Sequence, residues 1–494
     1  MLMGANFIIK ILGLLRETLL AQFYGASMIT DAYIIANNIP SVLFAAIGTC
    51  IATTFIPQYT RIKMECGEER ANTFAVHMLE CGIVICSAMT ILGERFIKEI
   101  VFIFAAGFEG PVLQLAITFS RILFPSIFGL ALINIMGAYL QQHNNFLPIA
   151  IVPIVNNGLI IISLFVSNIT ENIYILIYGT LIASLLQIIF YIPWILKTGI
   201  LKRKKIKLIK DEYLSLLFIT VIPVFIGEAV NELNSIIDRT LVSGLDTGSV
   251  SILNYAYKII NLIIGVFVAS IGSVTFPKIA NIAIQKKYKG FQQYGSDLSI
   301  VTIMIIVPIT ISLIIFRREI IELLFQRGEF DVRSTILTGN VMGFYAIGLV
   351  SIGTRDILTK LFFSIQNTKT PMYNGIICAL VNIVLDVMLI NKIGLYGAAL
   401  ATGIASILST ILLILSAKRY HLINIKYMTS PILKILISAI FIVIFDLIGK
   451  NIIDRFIEKK IFSFLSCVII GIIGILIYIT INGILKNFSS IKNI

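Results

Sequence analysis

The sequence predicts an all-α polytopic membrane protein of about fourteen transmembrane helices, arranged as two parallel six-helix repeats followed by one further pair. Three observations predict it. Of 494 residues, 58% are hydrophobic and 13% charged, where a soluble domain carries about 25% charged residues, and the mean hydropathy is +0.96. Apolar stretches of about 20 residues, the length of helix that crosses a bilayer, recur from end to end. The second half of the chain repeats landmarks of the first.

The spans lie near 3–23, 31–58, 72–93, 112–140, 147–168, 172–196, 213–239, 249–281, 297–316, 335–363, 371–391, 394–417, 432–449 and 461–485. Runs this long exclude a β-barrel, whose strands alternate, and the short connections leave no room for a soluble domain. Pro40 falls inside the second span and is expected to bend or break it. The six cysteines, Cys50, Cys66, Cys81, Cys86, Cys378 and Cys467, have no CxxC spacing and read as small apolar spacers. The first span carries Lys10, Arg16 and Glu17 and lacks a clear cleavage site, so a cleaved signal peptide is not expected.

The net charge of +13 belongs mostly to loops, where it sets topology and does not call for nucleic acid. Lys202, Arg203, Lys204, Lys205, Lys207 and Lys210 follow the sixth span and put even-numbered loops and both termini in the cytoplasm. Arg61, Lys63 and Arg70, then Lys286, Lys287 and Lys289, then Lys418, Arg419 and Lys426 agree. The loop with Arg317, Arg318, Arg327 and Arg333 disagrees.

The repeat shows in three pairs of segments. FIPQYTRI at 55–62 resembles TFPKIANI at 275–282, FIFAAGFEG at 102–110 resembles LLFQRGEFD at 323–331, and AYLQQHNNFLP at 138–148 resembles LFFSIQNTKTP at 361–371. Pro57/Pro277, Gly107/Gly328 and Pro148/Pro371 are separated by 220, 221 and 223 residues. An even number of spans per copy makes the copies parallel, the arrangement in which transporters place substrate between two lobes.

Ionisable groups inside spans cost about 2.5–3.5 kcal/mol each on insertion scales, so each needs a reason. Lys10 and Glu17 share a face of span one, and Arg16 projects roughly 100° from Glu17. Lys258 sits in span eight and Asp31 opens span two. One reading is a cationic cleft in which Lys10, Arg16 and Lys258 meet a phosphate. The other is structural: Arg16 or Lys10 pairs with Glu17 and Asp31, and Lys258 snorkels. A second set is rich in oxygen: Asn382 and Asp386 one turn apart in span eleven, Asp238 near the end of span seven, and Thr402 in span twelve. Such donors suit a hard cation, sodium above all. They equally suit a polar lock, with Asp238 paired to Arg239 or Asp386 protonated. His77, His143 and His421 are far apart, and there is no Walker loop or GxSxG elbow, so an enzyme is not expected. Gly394, Gly397, Ala398, Ala399, Ala401 and Gly403 suit close helix approach.

LGLLRETLLAQFYGASMITDAYIIANNIP at 12–40, IDRTLVSGL at 237–245, LFQRGEFD at 324–331, IQNTKTP at 365–371 and LVNIVLDVMLINKIGLYGAALAT at 380–402 resemble the MurJ (MviN) family of bacterial lipid II flippases. The similarity runs from about residue 5 to 418 in register. It implies the multidrug/oligosaccharidyl-lipid/polysaccharide exporter fold: lobes at 1–200 and 201–425 forming a V, and an additional helix pair at 426–494 that makes a groove for the lipid tail. It implies alternating access that carries lipid II, an undecaprenyl-pyrophosphate-linked muropeptide, across the bacterial cytoplasmic (inner) membrane, coupled to cations or membrane potential, by a monomer. By motif, the family's pyrophosphate-binding positions fall on Lys10, Arg16 and Lys258, with Glu17 and Asp31 at acidic positions. Its sodium site falls on Asp238, Asn382, Asp386 and Thr402, with Ala398 giving a backbone carbonyl; no other cofactor is implied. Lys10 and Lys258 stand where the family has Arg, which keeps the charge and loses the bidentate fork. Phe44, Ala45 and Ala46 replace an arginine-rich stretch. The alternatives are a flippase for another polyprenyl-pyrophosphate-linked oligosaccharide, or a cation-coupled multidrug exporter.

Overall fold

The computed structural model describes residues 2–201, 212–213, 236–268, 271–272, 275, 278–279, 282, 288–456 and 460–484. Every regular element among them is helical. Among the described residues nine helices are long and apolar enough to cross a membrane, or ten with one bent pair. The expected count of fourteen leans partly on segments outside the described residues: most of span seven, part of span eight, and the basic run Lys202–Lys210 that carries the orientation argument.

The chain divides into two compact units, Met1–Ser251 and Ile252–Ile494. The first holds α1 (Leu2–Tyr24), α2 (Met28–Cys66), α3 (Glu68–Arg95), α4 (Ile97–Phe104), α5 (Gly110–Leu123), α6 (Ile127–Gln142), α7 (Leu147–Ile169) and α8 (Ile173–Lys197). Helix α9 (Ser249–Ile263) begins in the first unit and continues in the second, running into a π-helical turn at Ile264–Val268. The second unit then holds α10 (Tyr288–Ile315), α11 (Arg317–Phe325), α12 (Val332–Ile347), α13 (Leu349–Ser364), α14 (Lys369–Ile393), α15 (Leu395–Arg419), α16 (Ile425–Phe456) and α17 (Lys460–Ile484).

Local chemistry sets the helix ends. Ser27 caps α2, its hydroxyl accepting from Thr30 N–H at 3.4 Å. Asn172 caps α8, its side-chain oxygen accepting from Tyr174 N–H at 3.0 Å. Pro111 and Pro148 occupy first-turn positions of α5 and α7, where no amide donor is needed. Helix α2 runs unbroken through Pro40 and Pro57, so Pro40 does not break the second span.

The repeat is visible in the elements. Helices α5 and α12 start at Gly110 and Val332, α6 and α13 at Ile127 and Leu349, α7 and α14 at Leu147 and Lys369, and α8 and α15 at Ile173 and Leu395, each pair 222 residues apart. The breaks match as well. A 3-10 turn at Phe124–Ser126 interrupts α5 and α6, while α12 and α13 meet at Gly348 with a 42° bend. The turns after α6 and α13 use the same left-handed residue, Asn144 (φ 54°) and Gln366 (φ 59°). Each closes on a carbonyl five residues back: Asn145 N–H to Leu140 and Asn367 N–H to Phe362, both at 3.0 Å. Short amphipathic helices α4 and α11 occupy what the sequence presented as connections.

Each unit has its own core. In the first, Phe55, Tyr59, Phe74, Tyr139 and Tyr191 cluster, and the Tyr59 and Tyr139 hydroxyls both donate to Asn72 Oδ1 at 3.0 Å. In the second, Leu298, Leu361, Phe362 and Leu413 pack with Ile435, Ile442 and Tyr478, so α16 and α17 are seated on α10. The outward faces of α14, α16 and α17 expose Leu380, Val384, Leu436, Ile440, Ile444 and Leu476, each more than half exposed, as surfaces bathed by lipid do.

Candidate functional site

Arg16 lies two turns before the end of α1, which packs along α7. Its Nη2 is 2.7 Å from Glu17 Oε1, and its Nη1 donates to Asn157 Oδ1 at 3.4 Å. Adjacent positions on a helix diverge by about 100°, but the long arginine side chain closes the gap to a carboxylate that is 5% exposed. Asn157 in turn donates to Pro153 O at 3.0 Å, a carbonyl whose usual donor would be the amide of residue 157. Glu17 and Asn157 thus brace the guanidinium while a fifth of its side chain remains open. Lys10 is half-buried on the same helix and has no ion pair among the described residues.

Asp31 stands elsewhere. It is 2% exposed, and its carboxylate accepts from Gly248 N–H at 2.6 Å, from Ser251 N–H at 2.7 Å and from the Ser251 hydroxyl. These are the free donors at the start of α9, and a carboxylate there is favoured by charge and hydrogen bonding together. The surrounding loops are tightly joined. Gly107 N–H donates to Ser243 Oγ at 2.9 Å, and the Thr240 hydroxyl donates to Ile103 O at 2.7 Å. At Gly248 φ is +91°, and an added Cβ would fall 2.5 Å from Ala26 O, so glycine is required. A cavity of about 190 Å³ remains among Asp31, Glu109, Ser243, Asp246 and Thr247. The structure therefore brings Arg16 and Glu17 together, while Asp31 serves as a helix cap. Lys258 is half-buried on α9 in the second unit.

Of the oxygen-rich set, Asn382 and Asp386 on α14 are 3% and 0% exposed, and Asn382 Nδ2 donates to Asp386 Oδ2 at 2.5 Å. On α15 the Thr402 hydroxyl donates to Ala398 O at 3.1 Å. The two helices pack closely: an added Cβ on Gly397 would overlap the Leu389–Ile390 backbone. Asp238 lies in a helical stretch at 236–242 that belongs to the first unit. Among the described residues no three His, Cys, Asp or Glu side chains converge. Four cysteines, Cys66, Cys81, Cys86 and Cys378, are free thiols.

Sequence reasoning passed over Asn157, whose neutral side chain gave no signal. It also passed over Arg355, Asp356 and Lys360 inside α13 and Asp446 inside α16, although the cost of charge in a span flags all four.

A model of the family described as lipid II flippase MurJ matches residues 20–469. The chain belongs to the MurJ family. Lipid II flippase MurJ of Thermosipho africanus (strain TCF52B) is 31% identical over 478 residues, covering 97% of this chain and 94% of that protein. The solved structure of a lipid II flippase MurJ in an inward closed conformation matches with a TM-score of 0.83 at 29% identity, covering 97% of this chain and 98% of that one. An inward-facing multidrug resistance MATE transporter of the MOP superfamily matches with a TM-score of 0.68 at 16% identity over 85% and 94% of the two chains, a likeness of fold alone. MurJ is a transporter family, in keeping with the absence of enzyme motifs, and its members are integral to the inner membrane.

Proposed function

We propose that this chain carries lipid II from the inner to the outer leaflet of the bacterial cytoplasmic membrane by alternating access, with both termini in the cytoplasm. The observation that carries this reading is Arg16, a guanidinium held between Glu17 and Asn157 in a helix that otherwise shows lipid-facing Phe7, Ile8, Ile11 and Leu15. A braced arginine has little side-chain freedom left to lose when it takes up a phosphate oxyanion in bidentate fashion. Lys10, on the same helix as Arg16, adds a point charge for the rest of the diphosphate, and Lys258 is a further cationic residue proposed for the cargo. The Asp31 cap on α9 keeps one set of loops closed, and its release belongs to the step that opens them. The apolar outer surface of α16 and α17 receives the polyprenyl tail.

For coupling, the Asn382 amide, Asp386 carboxylate, Thr402 hydroxyl and Ala398 carbonyl are hard oxygen donors of the kind a sodium ion accepts. Sodium bound there offsets the charge of a carboxylate that is 0% exposed. Asn382 orients that carboxylate, and the Thr402 hydroxyl sits beside the Ala398 carbonyl, to which it donates.

The test is rescue of cells depleted of their own lipid II flippase. Growth supports the reading, and failure to rescue with the protein correctly inserted rejects it. Lysine at positions 10 and 258, with Phe44, Ala45 and Ala46 in place of arginines, favours as second reading a different polyprenyl-pyrophosphate-linked glycan. That outcome is insertion without rescue.

A further inference from the structure

Helix α13 carries Arg355, Asp356 and Lys360 within the apolar span it forms with α12, and the reading above gives none of them a task. Burial along α13 alternates in pairs. Residues 353, 354, 357, 358, 361 and 362 are buried, whereas Ser351, Ile352, Arg355, Asp356, Thr359 and Lys360 are partly exposed. At 3.6 residues per turn these sets fall on opposite arcs of the helix. Helix α14 shows what a lipid-facing arc looks like in this unit: Tyr373, Leu380, Val384 and Met388 are 53–60% exposed. Charges turned to hydrocarbon cost too much to be held in threes, so the open arc of α13 faces water.

Inside that arc the charges are not equivalent. Lys360 Nζ is 2.6 Å from Asp356 Oδ2, and its ammonium rests against the bare backbone of Gly272, where any Cβ would displace it. That pair cancels. Among the described residues Arg355 meets the Cys378 thiol alone, Nη1 to Sγ at 3.8 Å, and the thiol itself donates to Ala405 O at 3.3 Å. The arc keeps a net charge of one, centred on a guanidinium whose fork is mostly unspent among the described residues.

The first repeat shows that the fold does not need these charges. At 222 residues' offset, α6 carries Ile133, Asn134 and Ala138 where α13 carries Arg355, Asp356 and Lys360. The Asn134 amide simply bonds Leu130 O of its own helix at 2.7 Å. The same bent span is built once with charge and once without.

We propose that Arg355 is a second oxyanion-binding residue for the head of the lipid-linked cargo, with Asp356 holding Lys360 beside it. The ligand chemistry is a diphosphate or a carboxylate, either of which fits the guanidinium fork. This rests on the lipid II reading.

The test is equilibrium binding of lipid II and of undecaprenyl pyrophosphate to the full chain in neutral-lipid nanodiscs. Arg355→Gln is expected to weaken lipid II binding tenfold or more. Asp356→Asn, which removes the internal counter-charge, is expected to tighten it threefold or more. An equal loss for undecaprenyl pyrophosphate assigns the diphosphate, and a loss confined to lipid II assigns a carboxylate of the head. Unchanged lipid II binding by a folded Arg355→Gln protein overturns the proposal. If that variant does not fold, Asp356→Asn decides, and no tightening overturns it. A wild-type protein that binds neither lipid removes the flippase reading itself.

Discussion

Ser251 gives Asp31 two hydrogen bonds, one from its backbone N–H at 2.7 Å and one from its hydroxyl, and Gly248 N–H adds another at 2.6 Å. A single buried carboxylate on α2 thereby satisfies donors at the start of α9 that nothing within that helix can satisfy.

Removing that carboxylate has a predictable cost. Asp31→Ala should destabilise the protein by about 2 kcal/mol, the upper range for a lost helix cap, and Asp31→Asn by less because its amide oxygen still accepts. Thermal unfolding in detergent measures both. An Asp31→Ala protein that melts like wild type would show that the cap does not hold α9.

Arg16 and Glu17 form a pair whose members depend on each other. Arg16→Ala removes the ion-pair partner of a carboxylate that is 5% exposed, so it should lower stability by about 2 kcal/mol, while Arg16→Ala/Glu17→Ala should recover part of that loss. Neither variant, nor Lys258→Ala, should rescue flippase-depleted cells at normal protein levels. Wild-type growth of either single variant would reject its role in binding.

Sodium is expected to raise the melting temperature of the wild-type chain, with potassium at equal ionic strength as control, and Asp386→Ala should abolish the difference. A sodium effect that survives the substitution places the ion elsewhere.

At Gly107 the chain has no room for a side chain, because a Cβ would overlap the backbone of Gly244. Gly107→Ala should cost about 1–3 kcal/mol, as overpacking does, and denaturant titration would read it directly.

Asp331 caps α12, its Oδ1 accepting from Ser334 N–H at 2.7 Å, and this bond holds the carboxyl below its ordinary range. The folded state therefore prefers the ionised form. Its contribution is complete above the ordinary carboxylate value near 4 and fades as pH falls below that. Asp331→Ala should narrow the difference in melting temperature between pH 7 and pH 3.

The fold was legible wherever the signal is a long apolar run. Spans expected at 147–168, 371–391 and 394–417 are found as Leu147–Ile169, Lys369–Ile393 and Leu395–Arg419. The three repeat landmarks located a correspondence that the helix starts make uniform. Helices α4 and α11 were not legible, because eight or nine residues of amphipathic pattern look like a charged loop. The Arg16–Glu17 contact was legible as one of two readings of the charges in span one, whereas the Asn157 partner was not. The cap on α9 was hidden because its donors are backbone groups 217 and 220 residues away in sequence. The sequence puts Asp31 at an acidic position of the cleft, and the structure adds a capping role that residue type alone does not reveal.

The broken helices have a mechanical consequence. A straight helix over the 33 residues of Gly110–Gln142 would be about 50 Å long, against some 30 Å of hydrocarbon. The turn at Phe124–Ser126 and the 42° bend at Gly348 break these over-long rods in both copies. The two copies thus interrupt the over-long rod at matched positions, where a change of angle alters the thickness that each pair of helices spans. Lipid acyl-chain length then becomes a control on the same joints that a transport cycle must flex.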